Sequence, residues 1–111
     1  MTVQTITRDG VPVVTVAGEV DMSTAGPFLA EMTTQLSLAP AGLVVDLRAV
    51  SFFGSAGVGA LLAARDCPVR VVVVTARPIV LRMLEITNLD RLFDVRRTLP
   101  EALRALRGQP T

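Results

Sequence analysis

Two stretches, GLVVDL at Gly42–Leu47 and RVVVVT at Arg70–Thr75, set the fold class. Each is a short and nearly continuous apolar run, rich in Val and Leu. A strand with one wet face alternates apolar and polar residues, whereas one buried on both faces does not. Such runs therefore read as central strands of a parallel sheet covered on both sides. Parallel neighbours need a crossover between them, and Ala56 to about Arg65 supplies one as a helix closed by Pro68.

Working outward, Val3–Arg8 and Val11–Ala17 are β-prone runs separated by Asp9-Gly10, a two-residue hairpin signal. Pro12 lacks an N–H, so the second run should meet its ladder only from Val13. Asp21, Ser23 and Thr24 are candidate N-caps for a helix carrying Phe28, Leu29, Met32 and Leu36 and reaching about Leu38. Pro78 suits the start of another helix, with Ile79, Met83 and Ile86 as an apolar stripe, Val80 and Leu84 beside it, and Asn88 at its C-terminal end. Leu92–Val95 reads as a short edge strand. Thr98 with Glu101 matches a capping box for a last helix presenting Leu103 and Leu106. Residues 107–111 read as a frayed tail. The expectation is an α/β fold: one single-layer, mixed, mostly parallel sheet with helices packed mainly on one face. Residues 1–111 make a single domain.

Composition narrows the function. The chain has 111 residues and a formal net charge of +1, so no strong field is present to hold nucleic acid or an anionic membrane. All 11 basic residues are Arg, and there is no His and one Cys. The commonest general base and the usual zinc ligands are therefore missing, and neither a metal site nor a cofactor is expected. A lone Cys67 excludes an internal disulfide and favours a reducing, cytoplasmic setting. Beside a proline on a short turn, it reads as incidental rather than redox-active. The first residues, MTVQTITRDG, lack a secretory pattern. The longest uncharged run, Ala49–Ala64, has 16 residues including three glycines, too few and too polar for a membrane span of about 20.

The chemistry centres on SFFGSAGVGALLAA, Ser51–Ala64. Gly54–Gly59 fits neither a P-loop nor G-x-G-x-x-G, and it lacks the residue between Gly and Ser that a nucleophile elbow requires. Nucleotide binding and hydrolysis are accordingly weak readings. Ser55 stands at a strand-to-helix turn, where it can simply cap the helix. A helix N-terminus also favours negative charge, so a phosphate on Ser55 would suit the fold. The helix after it is built of small residues and, with one of Phe52 and Phe53 exposed, offers a flat, neutral contact patch. A phosphate's roughly two negative charges would oppose docking there. Asp46, at the end of a buried run, reads as a partner of Arg48 or a loop cap ahead of any functional role.

GEVDMSTA, LVVDLRAVSFFGSAGVGALL and RMLEITNLDRLFDV, in that order, resemble the STAS-domain family and within it the bacterial anti-sigma factor antagonists. The resemblance runs from about Val3 to Leu106. It implies that Ser55 is a phosphorylation site, with Gly57 the motif glycine. Ala56 stands where a second hydroxyl would be, and Gly54 where an acid would be. It further implies a partner surface of Asp21, Phe53, Gly54, Ser55, Ala56, Gly57 and Val58. Asp21 belongs to the loop beside the phosphosite or serves as a cap. The implied cycle is non-enzymatic. The unphosphorylated protein binds an anti-sigma factor, a serine kinase of the histidine-kinase-like ATPase fold, and so frees a sigma factor. Phosphorylation ends the binding, and a PP2C-type phosphatase restores it. The chain itself would be a monomer or weak dimer. Gly54 and the short Asp66-Cys67-Pro68 link depart from the family pattern. They leave room for a second reading, an unphosphorylated adaptor subunit of an ABC-type lipid-transport complex.

Overall fold

The computed structural model describes residues 1–108. Five strands form one sheet in the order in which they occur along the chain: β1 (Thr2–Arg8), β2 (Val11–Val20), β3 (Gly42–Phe53), β4 (Arg70–Val74) and β5 (Asp94–Arg96). β1 and β2 are antiparallel, and every later pairing is parallel. The hairpin closes on Asp9 and Gly10, whose φ values of 53° and 78° are those of a two-residue turn with both central residues left-handed. Pro12 acts on one side only. β2 pairs with β1 from Val11 but with β3 from Val13, so the strand begins two residues before the expected start.

Alternation along the sheet divides the core in two. Val14, Val16, Leu43, Val45, Leu47, Val71 and Val73 point to one face, where α1 (Ala25–Ser37), α2 (Ser55–Leu62), α3 (Pro78–Ile86) and α4 (Leu89–Leu92) lie. Val13, Val44, Val72 and Val74 point to the other, covered by Leu99, Ala102 and Leu103 of α5 (Leu99–Leu106). Both strands singled out from their apolar runs are thus central and covered on both faces, with helices mainly on one side.

Several elements differ from the expectation, each for a local reason. β3 continues through Phe53 instead of ending near Leu47. Its first half pairs with β2 and β4, but β4 stops at Val74 opposite Asp46, and Arg48–Phe53 project beyond it with β2 as the strand partner. On α3 the buried residues are Val80 and Leu84, while Ile79 and Ile86 of the expected stripe are exposed. Leu29 of α1 is likewise exposed. Asn88 does end α3, in the left-handed conformation with its N–H on the Glu85 carbonyl, but α4 follows where no helix was expected. β5 consequently starts at Asp94, two residues late. Thr98 accepts from the Glu101 N–H at 3.3 Å, which is one half of the expected capping box. Of the tail read as frayed, Arg107 and Gly108 close the last turn of α5, and Arg107 pairs with Asp9 of the hairpin. Residues 109–111 lie outside those described.

Candidate functional site: the strand-to-helix turn at Ser55

The overhanging half of β3 carries the site. Glu19 pairs with Phe52 and Val20 with Phe53, so the strand leaves the sheet beside the end of β2. The Gly54 N–H then donates to the Val20 carbonyl at 2.9 Å. Gly54, in extended conformation, occupies the N-cap position, and its carbonyl accepts from the Gly57 and Val58 N–H groups at 3.0 and 3.2 Å. Ser55 is therefore not the cap; it is the first residue of α2. Its side chain is exposed, and among the described residues nothing bonds its Oγ. At this position the backbone N–H groups of Ser55 and Ala56 have no acceptor within the helix.

The two phenylalanines divide as alternation requires. Phe53 is 1% exposed and meets Phe28 of α1 edge-on, with ring centroids 6.5 Å apart. Phe52 points the other way and is 40% exposed. Gly57 faces inward. A Cβ there would stand 2.7–2.9 Å from Phe53 ring carbons, so the glycine is what lets α2 lie on that ring. Gly59 faces outward, with nothing within 4 Å of its Cβ position. Gly54 lies under Phe52, whose Cε2 would be 3.1 Å from an added Cβ. Of the seven expected contact residues, Ser55 is exposed, and Ala56 and Asp21 are half-buried. Phe53, Gly54, Gly57 and Val58 are buried and support the surface from beneath.

Asp21 sits one residue beyond the Val20 carbonyl that holds Gly54. Its Oδ1 accepts from the Ser23 N–H at 2.9 Å, the Ser23 hydroxyl at 2.8 Å and the Thr24 N–H at 3.1 Å. The Ser23 hydroxyl first, and then these backbone donors, hold its carboxyl below the ordinary aspartate value. Thr24 Oγ1 accepts from the Asp21 N–H at 2.9 Å and donates to the Glu19 carbonyl at 2.7 Å. The carboxylate is thus occupied in shaping the loop. Met22, between these polar residues, is 90% exposed. Sequence reasoning passed over it; the available signal was an apolar residue inside a turn.

Asp46 takes the reading in which Arg48 is its partner. It is 5% exposed and accepts from Arg48 Nε at 2.9 Å and Nη2 at 2.8 Å. This hydrogen bond raises the Arg48 guanidinium above its ordinary value. Among the described residues no cluster of three His, Cys, Asp or Glu side chains is placed to hold a metal ion, and no helix is long and apolar enough to cross a membrane.

The anti-sigma-F factor antagonist RsfB of Mycobacterium tuberculosis is 32% identical over 97% of this chain and 91% of its own. The crystal structure of an anti-sigma factor antagonist from Mycobacterium paratuberculosis superposes with a TM-score of 0.88. It is 36% identical, covering 96% of this chain and 93% of the other. The fold alone is shared with SpoIIAA. Its unphosphorylated form gives a TM-score of 0.76 at 21% identity, covering 99% and 100% of the two chains. Its phosphorylated form, from Bacillus, gives 0.68 at 18% identity, covering 95% and 99%. The STAS domain model matches residues 2–102, and the chain belongs to the STAS domain family.

Proposed function

We propose that this protein is an anti-sigma factor antagonist working as a phosphorylation switch. Unphosphorylated, it binds an anti-sigma factor through the surface around Ser55 and so releases a sigma factor. The observation that carries the reading is the exposed Ser55 hydroxyl at the first position of α2, without a hydrogen-bond partner among the described residues, beside the half-buried Ala56 and the outward-facing Gly59. The relatives at 32% and 36% identity, named as antagonists of an anti-sigma-F factor and of an anti-sigma factor, support it over a transporter adaptor.

The partner is an anti-sigma factor that is also a serine kinase of the histidine-kinase-like ATPase fold. The γ-phosphoryl of ATP passes to Ser55 Oγ, ADP leaves, and a base of the kinase takes the hydroxyl proton. The new group meets the unpaired N–H groups and positive end of α2, so the fold accepts it. A closely docked partner meets instead roughly two negative charges that must be desolvated. A PP2C-type phosphatase resets the switch. The antagonist is a cytoplasmic substrate and binder, with no catalytic groups of its own.

The test is incubation with the anti-sigma factor captured from the protein's own host, with ATP, followed by peptide mass spectrometry and binding measurements. Phosphate should appear on Ser55 and be lost in Ser55→Ala. Ser55→Asp should weaken binding by at least about tenfold, equivalent to 1.4 kcal/mol. Undiminished phosphorylation of Ser55→Ala, or equal binding by Ser55→Asp and wild type, would overturn the switch.

A further inference from the structure

The turn from Asp21 to Thr24 joins β2 to α1, and its polar side chains are bonded among themselves. Asp21 Oδ1 accepts from Ser23 and Thr24, while Thr24 Oγ1 accepts from the Asp21 N–H and donates to the Glu19 carbonyl. Met22 stands among them, 90% exposed on a braced backbone. Phe52 is another exposed apolar group nearby in the fold. Its ring lies against Gly54, with Cε2 3.1 Å from where a Cβ would stand. Val20 pairs with Phe53, and its carbonyl accepts from the Gly54 N–H. Met22, Phe52 and Ser55 therefore share the end of the sheet where β2 and β3 finish. Neither Met22 nor Phe52 belongs to either half of the core. From Gly18 to Thr24 and from Ala49 to Ala56 the charged residues are Glu19 and Asp21. The Asp21 carboxylate is turned into its own loop, which leaves Glu19, across from Phe52, as the exposed one.

We propose, on the reading that Ser55 lies within an anti-sigma factor contact, that Met22 and Phe52 are the apolar anchors of that contact and enter an apolar pocket of the anti-sigma factor. Interfaces concentrate their binding energy in a few large side chains that enter desolvated pockets, and aromatic rings are prominent among them. Methionine, unbranched and polarizable, fills irregular apolar gaps. Taking such groups out of water on docking is favourable in proportion to their area, whereas an exposed ion pair at the same place contributes little. The hydrogen-bonded turn adds preorganisation: the backbone that presents Met22 is ordered before docking, so less conformational freedom is lost. Ser55 then sets whether the contact forms, and the two anchors set which partner it forms with.

The test is calorimetric titration of the intact protein with the purified anti-sigma factor of its own host, with wild type and Ser55→Asp as references. Met22→Ala and Phe52→Ala should each weaken binding by at least about tenfold. Met22→Leu keeps the apolar volume and should stay within about threefold of wild type. Glu19→Gln and Leu38→Ala should stay within about threefold as well. Leu38, 69% exposed at the C-terminal end of α1, shows what losing exposed apolar surface elsewhere does. Thermal unfolding is recorded for every variant, and Met22→Ala, at so exposed a position, should match wild type. Wild-type affinity in Met22→Ala overturns the proposal, as does wild-type affinity in a folded Phe52→Ala. A loss in Glu19→Gln or Leu38→Ala equal to that in Met22→Ala also overturns it. Where wild type binds and Ser55→Asp does not, these outcomes strike the anchors alone. A wild type that does not bind, or a Ser55→Asp that binds equally, strikes the switch itself.

Discussion

Gly57 and Gly59 lie two positions apart on α2 and meet opposite surroundings. An added methyl at Gly57 would press on Phe53, which is buried and held by Phe28, so the ring has nowhere to move. Gly57→Ala is therefore expected to destabilise the protein by about 1–3 kcal/mol, the range for overpacking a tight core. Gly59→Ala meets open space, and an alanine in a helix interior is favoured over glycine by roughly 0.8–1.0 kcal/mol. Urea unfolding of the two variants should move their midpoints in opposite directions; a loss of stability in Gly59→Ala would show that α2 is held differently. Spacing and composition alone left both glycines as equivalent small residues on a contact helix, and only the family resemblance singled out Gly57. Which of them faces Phe53 depends on where the helix starts, and it starts at Ser55, one residue earlier than the Ser55 cap implied. Placing Ser55 on the surface needed no such detail, because a hydroxyl between glycines at the head of an apolar helix has few other places to go.

Asp94 shows how an edge element is fixed, and why it was hard to read. β5 has three residues, and its first, Asp94, gathers Arg96 and Arg70, so that a carboxylate ties the edge strand to β4. The Arg96 side chain above all, with Arg70 adding to it, holds the Asp94 carboxyl below the ordinary value of 3.8. A depressed carboxyl contributes stability that is complete above the unfolded-state value and is lost as pH falls through the folded one. Stability should thus fall as the pH drops below about 4, and Asp94→Asn should make that fall shallower in denaturant titrations at successive pH values. An unchanged slope would mean that the ion pairs contribute nothing to linkage. The same region misled the sequence reading, since Leu92 and Phe93 look like strand residues, yet Leu92 closes a four-residue helix too short to show periodicity. On α3 both stripes were apolar, and pattern alone did not say that Val80 and Leu84 are inside and Ile79 and Ile86 outside. β3 was legible only where strands flank it on both sides; past Leu47 only Val50 and Phe53 are buried, the register against β2 shifts, and neither a continuous apolar run nor a strict alternation marks the strand.

For the whole molecule, the alternation of strands and helices was legible because each buried run is bounded by Pro, Gly or a charged residue. That helices lie mainly on one face was also expected; that α5 alone covers the other was not legible, since Val-rich central strands look alike from either side. That layout keeps the proposed switch residue, Ser55, apart from what holds the fold. α2 rests on the core through Val58, Ala60 and Leu61, while Ser55 stands at its exposed end. A negative charge at Ser55 therefore displaces no buried contact and lies at the favourable end of the helix, where an acidic group contributes about 0.3–1 kcal/mol. Ser55→Asp should unfold at the same temperature as wild type or slightly above it, with an unchanged far-ultraviolet spectrum, while losing affinity for the anti-sigma factor. Thermal unfolding and binding measured on one preparation separate the two effects. If Ser55→Asp instead unfolds several degrees earlier, its weaker binding reflects a damaged fold. The charge would then be acting through α2 and its packing on Phe53, and not at the docking surface.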